Sequence, residues 1–257
     1  MGDSQRPSIS HHKTHHVRTE YNRLAATYDQ RWSHYVESTI TATLDGLELV
    51  GDERVLDIPI GTGELALRLL QRWQQLKIAG VDLSPRMLDQ AAAKFRSSET
   101  SRSHWGGSHS GVVGSNHHPS NPNHSLSGNP QSDLTVPDLY EGCVTSLPFA
   151  DHEFDCIFCV NSFHYFPDPE KSLMELRRVL RDGGKLILVD WCDDYWMCRM
   201  CSLWLRLVDP AFHQTYSQRH CEALLREAGF RIDHARRFRV GRIWGLMRIE
   251  ARAAGNL

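Results

Sequence analysis

Short apolar runs and amphipathic stretches alternate along most of this chain. Residues 55–58, 78–81 and 154–160 are apolar at nearly every position and too short for helices, as in strands buried on both faces. A third strand is expected around 139–142, between the second run and 154–160, another at 185–190, and a closing hairpin at 230–240 and 245–252. Helical spacing appears where Tyr21, Leu24, Ala25 and Tyr28 share one face, again from Tyr35 to about Leu47, and from Glu64 through Leu70. Ser84-Pro85 suits a helix start, with serine as the cap and proline in the first turn. Residues 173–180 and 222–228 supply two more amphipathic helices. The order of these elements predicts an α/β domain built on a mostly parallel sheet.

Two regions break the pattern. Residues 1–17 are polar, carry His11, His12, His15 and His16, and are expected to form a disordered tail, leaving 18–257 as one domain. Residues 97–135 are dominated by Ser, His, Gly, Asn and Pro. They hold too little apolar surface to offset the entropy of ordering and predict a mobile insertion. The histidines of neither region follow the spacing of a defined metal site.

The chemistry concentrates where the first strand breaks into Ile58-Pro59-Ile60-Gly61-Thr62-Gly63. Gly61 and Gly63 remove side chains that would hold a ligand off the backbone, and the following helix starts with free N–H groups facing the turn. Asp57 ends the strand as an acceptor at the carboxyl edge of the sheet, where such folds bind ligands. Asp82 ends the second strand about twenty residues beyond the glycines, the spacing at which a carboxylate meets a ribose diol. The strand at 154–160 delivers Asn161, Ser162 and His164 to the same edge. His164 is the one side chain there with an intrinsic pKa suited to a general base.

Taken together, Asp57-Ile-Pro-Ile-Gly61-Thr-Gly63, Val81-Asp82-Leu-Ser84-Pro-Arg-Met87-Leu88, Leu147-Pro148-Phe149, Phe154-Asp155 and Leu180-Arg-Asp-Gly183-Gly184 resemble the successive motifs of class I S-adenosylmethionine-dependent methyltransferases. The subgroup they are most similar to is typified by ubiquinone/menaquinone-biosynthesis C-methyltransferases, over roughly residues 20 to 190. The resemblance implies a Rossmann-like seven-stranded, mostly parallel sheet with helices on both faces and an antiparallel last strand. It implies S-adenosylmethionine as cofactor, Met87 under the adenine, and Tyr28 closing over the cofactor from the N-terminal side. Pro59 stands where the family's first glycine falls. Cys143-Val144 stands where the family presents an acid to the adenine amino group, and a thiol is a poor acceptor. The segment at 191–220, with Trp191, Tyr195, Trp196, Trp204, Phe212 and Tyr216, corresponds to the family's substrate cap. An aromatic lid there would favour an apolar or ring-bearing acceptor; the equal alternative is that the rings pack the cap's own core.

Bulk properties narrow the reading. The formal charge of −2 gives no global field for nucleic acid or an anionic membrane. No apolar run approaches the roughly 20 residues of a transmembrane helix. Seven cysteines, an odd number without a regular framework, fit reduced thiols in a cytoplasmic protein. Cys198 and Cys201 form a lone Cys-x-x-Cys pair, and no metal site is assigned. The expected function is transfer of a methyl group to a small, apolar or aromatic molecule. Tyr28, Asp57, Gly61, Gly63, Asp82, Met87, Cys143, Val144 and Asn161 would hold the cofactor, and His164 would be the candidate base. A non-catalytic interaction module and a nicotinamide-dependent oxidoreductase are the rival readings; the latter lacks the usual Gly-x-Gly-x-x-Gly, since Ala66 stands at its last position. The acceptor and the oligomeric state are not readable from the sequence.

Overall fold

The computed structural model describes residues 9–103, 136–241 and 244–255. Among them, seven strands form one sheet: β1 (Arg54–Asp57), β2 (Lys77–Asp82), β3 (Asp138–Glu141), β4 (Phe154–Val160), β5 (Leu180–Trp191), β6 (Phe230–Val240) and β7 (Trp244–Ala253). Their order is β3-β2-β1-β4-β5-β7-β6. The first five are parallel, and β7 runs antiparallel to both β5 and β6. The order reverses between β1 and β4, which opens a crevice at their carboxyl ends.

Among the described residues, seven α-helices surround the sheet: α1 (Ile9–Leu24), α2 (Tyr28–Leu44), α3 (Glu64–Arg72), α4 (Pro85–Ser103), α5 (Pro169–Val179), α6 (Trp196–Val208) and α7 (Gln218–Glu227). Alternate strand residues enter two separate cores, as the two-residue period of a strand requires. Leu56, Ile157, Cys159, Leu186 and Leu188 pack with Leu173, Leu176, Leu224 and Leu225 of α5 and α7. Val55, Cys156, Phe158, Ile187 and Val189 pack with Leu65, Ala66, Leu69 and Leu70 of α3 and with Ala91 and Phe95 of α4. Because both faces are covered, the strands read as unbroken apolar runs.

The observed elements differ from the expected ones at several boundaries. α1 starts at Ile9, inside the segment expected to be a disordered tail. Exposed His15, Arg18 and Thr19 give that stretch its polar composition, while Val17 on the opposite face is buried. Lys13 Nζ reaches His213 Nδ1 at 2.9 Å and Arg18 pairs with Glu141 at 2.6 Å, fastening the helix at two points. The disordered tail expected at residues 1–8 lies outside the described residues. α4 continues to Ser103, into the expected insertion; the rest of that expected insertion, residues 104–135, also lies outside the described residues. β5 begins at Leu180, five residues ahead of the expected start at 185, and carries Gly183 at φ 73°; the pairing with β4 shifts register there. Among the described residues, no helix is long and apolar enough to cross a membrane.

Candidate functional site

The turn after β1 uses its glycines for two purposes. Both lie at positive φ, 55° at Gly61 and 78° at Gly63, where a side chain is disfavoured. A Cβ on Gly61 would meet nothing within 4 Å, so the backbone there is open to a ligand. A Cβ on Gly63 would lie 2.7 Å from Phe95 Cζ; that glycine lets α4 pack against the start of α3. Ile60 is seated on Gly80 of β2, with its N–H donating to the Val81 carbonyl, which holds the turn against the sheet.

Two buried carboxylates flank this turn. Asp82 Oδ2 accepts from the Gly61 N–H at 2.9 Å and Oδ1 from the Ser84 N–H at 2.8 Å, tying the glycine turn to the start of α4. Burial pushes its pKa up to about 6, although those N–H donors pull the other way. Asp57 is 2% exposed and accepts from the Ala66 backbone, but its Oδ2 has no partner. Burial, and then the nearby Asp82, raise its pKa well above the carboxylate range. Two desolvated acids so close together suit a cationic ligand.

Beside the turn lies a cavity that opens to solvent. Its floor is Ile58, Pro59 and Gly61 after β1, then Val81, Asp82, Leu83 and Met87 around the end of β2. Gly142, Cys143 and Val144 after β3 and Val160, Asn161 and Ser162 after β4 complete the sheet edge, with Tyr165, Phe166 and Pro167 beyond. The roof is Thr14, Val17 and Tyr21 of α1 and Tyr28 of α2. Tyr21 packs edge-on against Tyr165, ring centroids 5.5 Å apart, and lies 6.1 Å from Tyr28. Burial, then Asp82 and Asp29, raise the Tyr28 hydroxyl to about 12, so it is neutral at ordinary pH.

Side chains distant in sequence hold the roof down. Asn22 Oδ1 accepts from the Ser84 hydroxyl at 2.7 Å and from the Arg86 N–H at 3.3 Å. The Thr62 hydroxyl donates to Asp29 Oδ1 at 2.5 Å. Lys94 Nζ reaches Asp29 at 2.7 Å, Glu64 at 2.9 Å and the Thr62 hydroxyl at 3.3 Å. One lysine of α4 thus clasps α2 to the glycine turn.

Of the residues singled out from the sequence, Tyr28, Gly61, Asp82, Met87, Cys143, Val144 and Asn161 line this cavity, whereas Asp57, Gly63 and His164 are not among the lining residues. Asn161, at φ 56°, turns its amide away into a network: Oδ1 accepts from the Tyr35 hydroxyl and Nδ2 donates to Thr39 Oγ1, each at 2.9 Å. The Cys143 thiol lies 3.2 Å from the Thr145 hydroxyl. His164 is buried, with Nδ1 2.6 Å from Asp190 Oδ1, its own N–H donating to Oδ2 at 2.8 Å, and its ring stacked 4.7 Å from Trp191.

None of the rings at 191–220 is among the residues lining this cavity. Trp191 stacks between His164 and Trp244, Phe212 and Tyr216 are buried, and Trp196 and Trp204 face solvent. The aromatic wall of the cavity comes instead from Tyr21, Tyr28, Tyr165 and Phe166. Thr14, Val17 and Tyr21 went unassigned in the sequence; the signal for Tyr21 was its place on one helical face with Tyr28. The thiols of Cys192 and Cys198 are engaged by Asp194 Oδ2 and the Gly245 carbonyl.

A family described as "Methyltransferase domain" matches residues 56–188. The demethylmenaquinone methyltransferase of Deinococcus radiodurans is 30% identical over 138 residues, 54% of this chain and 43% of that protein. The Bacteroides fragilis enzyme of the same name is 23% identical over 213 residues, 80% of this chain and 73% of that protein. The chain spans less than half the length of the Deinococcus relative and of a similar one from Thermotoga maritima, 43% and 44%. Among solved structures, the YcgJ protein of Bacillus subtilis superposes with a TM-score of 0.62 at 17% identity, covering 86% of this chain and all of that one. A SAM-dependent methyltransferase of Methanosarcina mazei gives 0.57 at 20% identity, over 81% and 95%. These two likenesses concern the fold.

Proposed function

The chain belongs to the S-adenosylmethionine-dependent methyltransferases, with residues 56–188 matching their methyltransferase domain, and we propose that it methylates a small apolar or aromatic acceptor held beneath α1. The observation that carries this reading is the open Cβ position of Gly61 beside two buried carboxylates, one with an unpartnered oxygen. That donor set fits the cofactor. Asp57, buried behind the lining, would orient the turn toward its ammonium group, the lone pairs left on Asp82 would take its ribose hydroxyls, and Leu83, Met87 and Val144 would flank its adenine. Backbone groups at Cys143 would read the ring edge, since the thiol is a poor acceptor. When bound, the cofactor supplies an electrophilic methyl group on a sulfonium.

The chain's own contribution is placement. Aligning an acceptor with the S–CH₃ bond accounts for much of the rate of such a transfer. Tyr21, Tyr28, Tyr165 and Phe166 provide an apolar, ring-lined wall against which a planar acceptor packs while water is displaced. The names of the relatives point the acceptor screen toward quinones and their reduced forms. For His164, the bond to Asp190 supports a positioning role: it joins the end of β4 to the end of β5 and fixes the edge on which Asn161 and Tyr165 stand.

The test is calorimetric titration with S-adenosylhomocysteine against NADH, followed by mass-spectrometric assay of methyl transfer to reduced quinones and phenols. Binding of the former alone and a product heavier by one methylene support the proposal. Binding without transfer to any acceptor supports the interaction-module reading, which the missing acid at Cys143 favours.

A further inference from the structure

Among the described residues nothing covers the outer face of α6, which is unusually apolar. Trp196, Met200, Leu203, Trp204, Leu207 and Val208 are all exposed, from 52% at Val208 to 86% at Leu207. At about 100° per residue these six fall on one stripe, and Trp196 to Leu207 extends about 16 Å along the axis. The opposite side of the helix is attached to the domain, with Cys198 and Ser202 buried and the Cys198 thiol donating to the Gly245 carbonyl. The stripe is therefore held outward by a packed inner face. A contiguous apolar patch of this kind marks an interaction surface.

Charge distinguishes between occupants. Arg199 and Arg206 are exposed seven residues apart along one edge of the stripe, and residues 196–208 contain no acid. Arg239, on the edge strand β6, adds a third cation over the Tyr195 ring next to the start of the helix. Two copies meeting through this face would bring their arginines together with no acid of the helix to offset them. A surface that offers apolar depth and anionic groups at its rim satisfies both features: the rings and leucines enter the apolar layer while the arginines meet phosphates. We propose that α6 docks this protein on an anionic lipid surface, lying flat in the interface. The proposal concerns a face separate from the cavity and does not depend on which acceptor the cavity takes.

The test is flotation of the full chain with vesicles of equal parts phosphatidylcholine and phosphatidylglycerol, with phosphatidylcholine vesicles alone as control. The protein is expected to float with the mixed vesicles at least about tenfold more strongly than with the control, accompanied by a blue shift of tryptophan emission. Trp204→Ser with Leu207→Ser should abolish flotation, and Arg199→Glu with Arg206→Glu should remove the preference for the anionic lipid. Because these side chains are exposed, all variants should keep the wild-type melting temperature and affinity for S-adenosylhomocysteine. Failure to float, flotation indifferent to these variants, or a dimer in solution that Trp204→Ser dissociates would each overturn the proposal.

Discussion

The floor and the roof of the cavity are built by different means. On the floor, Gly61, Asp82 and Ser84 are joined by backbone N–H groups donating to one buried carboxylate, within a span of 24 residues. The roof is fastened by side chains from afar: Asn22 to Ser84, Asp29 to Thr62 and Lys94, Arg18 to Glu141. Arg18 and Glu141 are each 46% exposed and Asp29 is 49% exposed, so water and salt screen these pairs, each worth on the order of 0–1 kcal/mol. The floor is set by chain geometry and can accept little change. The roof is set by weak, separable bridges and can be released piece by piece, as a cover admitting a ligand requires.

The largest expected effect is at Gly63. Gly63→Ala forces a methyl to 2.7 Å from Phe95 at a φ of 78°, and should cost about 2–4 kcal/mol in urea denaturation. Gly61→Ala separates binding from folding on the same turn. Its new methyl meets no protein atom, so stability should fall by only about 1–2 kcal/mol, while affinity for S-adenosylhomocysteine drops roughly 100-fold in calorimetry. Equal losses of stability at the two glycines would dissolve the distinction drawn between them.

Asp57→Asn should move stability and binding in opposite directions. Replacing a desolvated acid that has an unpartnered oxygen should stabilise the ligand-free protein by about 1–2 kcal/mol at neutral pH, while weakening S-adenosylhomocysteine about tenfold. The gain carries a pH signature. Asp57 and Asp82 both have folded pKa values raised above the unfolded ones, so the folded protein holds protons that the unfolded chain has released. Their contribution is fully present at low pH and is lost as pH rises; for Asp82 the loss runs from its ordinary value of 3.8 to about 6. The stability difference between Asp57→Asn and wild type should therefore widen as pH rises, and a difference constant with pH in denaturation curves would rule out the ionisation argument.

The smallest effect tests the roof. Lys94→Met removes the clasp on Asp29, Glu64 and Thr62; melting should change little, and dissociation of S-adenosylhomocysteine should quicken about threefold in stopped-flow displacement. A collapse of the fold would mean that the roof is as rigid as the floor.

The same contrast decides what could be read from residues alone. Strand, glycine turn, helix and acid follow one another in order, so the floor and the parallel sheet are visible locally. Tyr21 and Val17 become part of the site only after α1 folds across the edge, which the helical spacing around Tyr21 does not reveal, and polar Arg18 and Thr19 hide the start of that helix. His164 was singled out for its intrinsic pKa, but its partner Asp190 stands 26 residues away at the end of another strand. Ring count at 191–220 could not separate Trp191, stacked inside, from Trp196 and Trp204, which face outward. Gly63 was singled out as a glycine that lets a ligand approach, but what excludes a side chain there is the ring of Phe95, a helix away.

The central claim, that the bare backbone at Gly61 and the acids beside it receive an adenosyl amino acid, is tested most directly by calorimetry of wild type and Gly61→Ala with S-adenosylhomocysteine. The account predicts micromolar binding to the wild type, about 100-fold weaker binding to a folded variant, and no heat with NADH. Indistinguishable titrations of the two proteins, or no binding to a folded wild type, would contradict it.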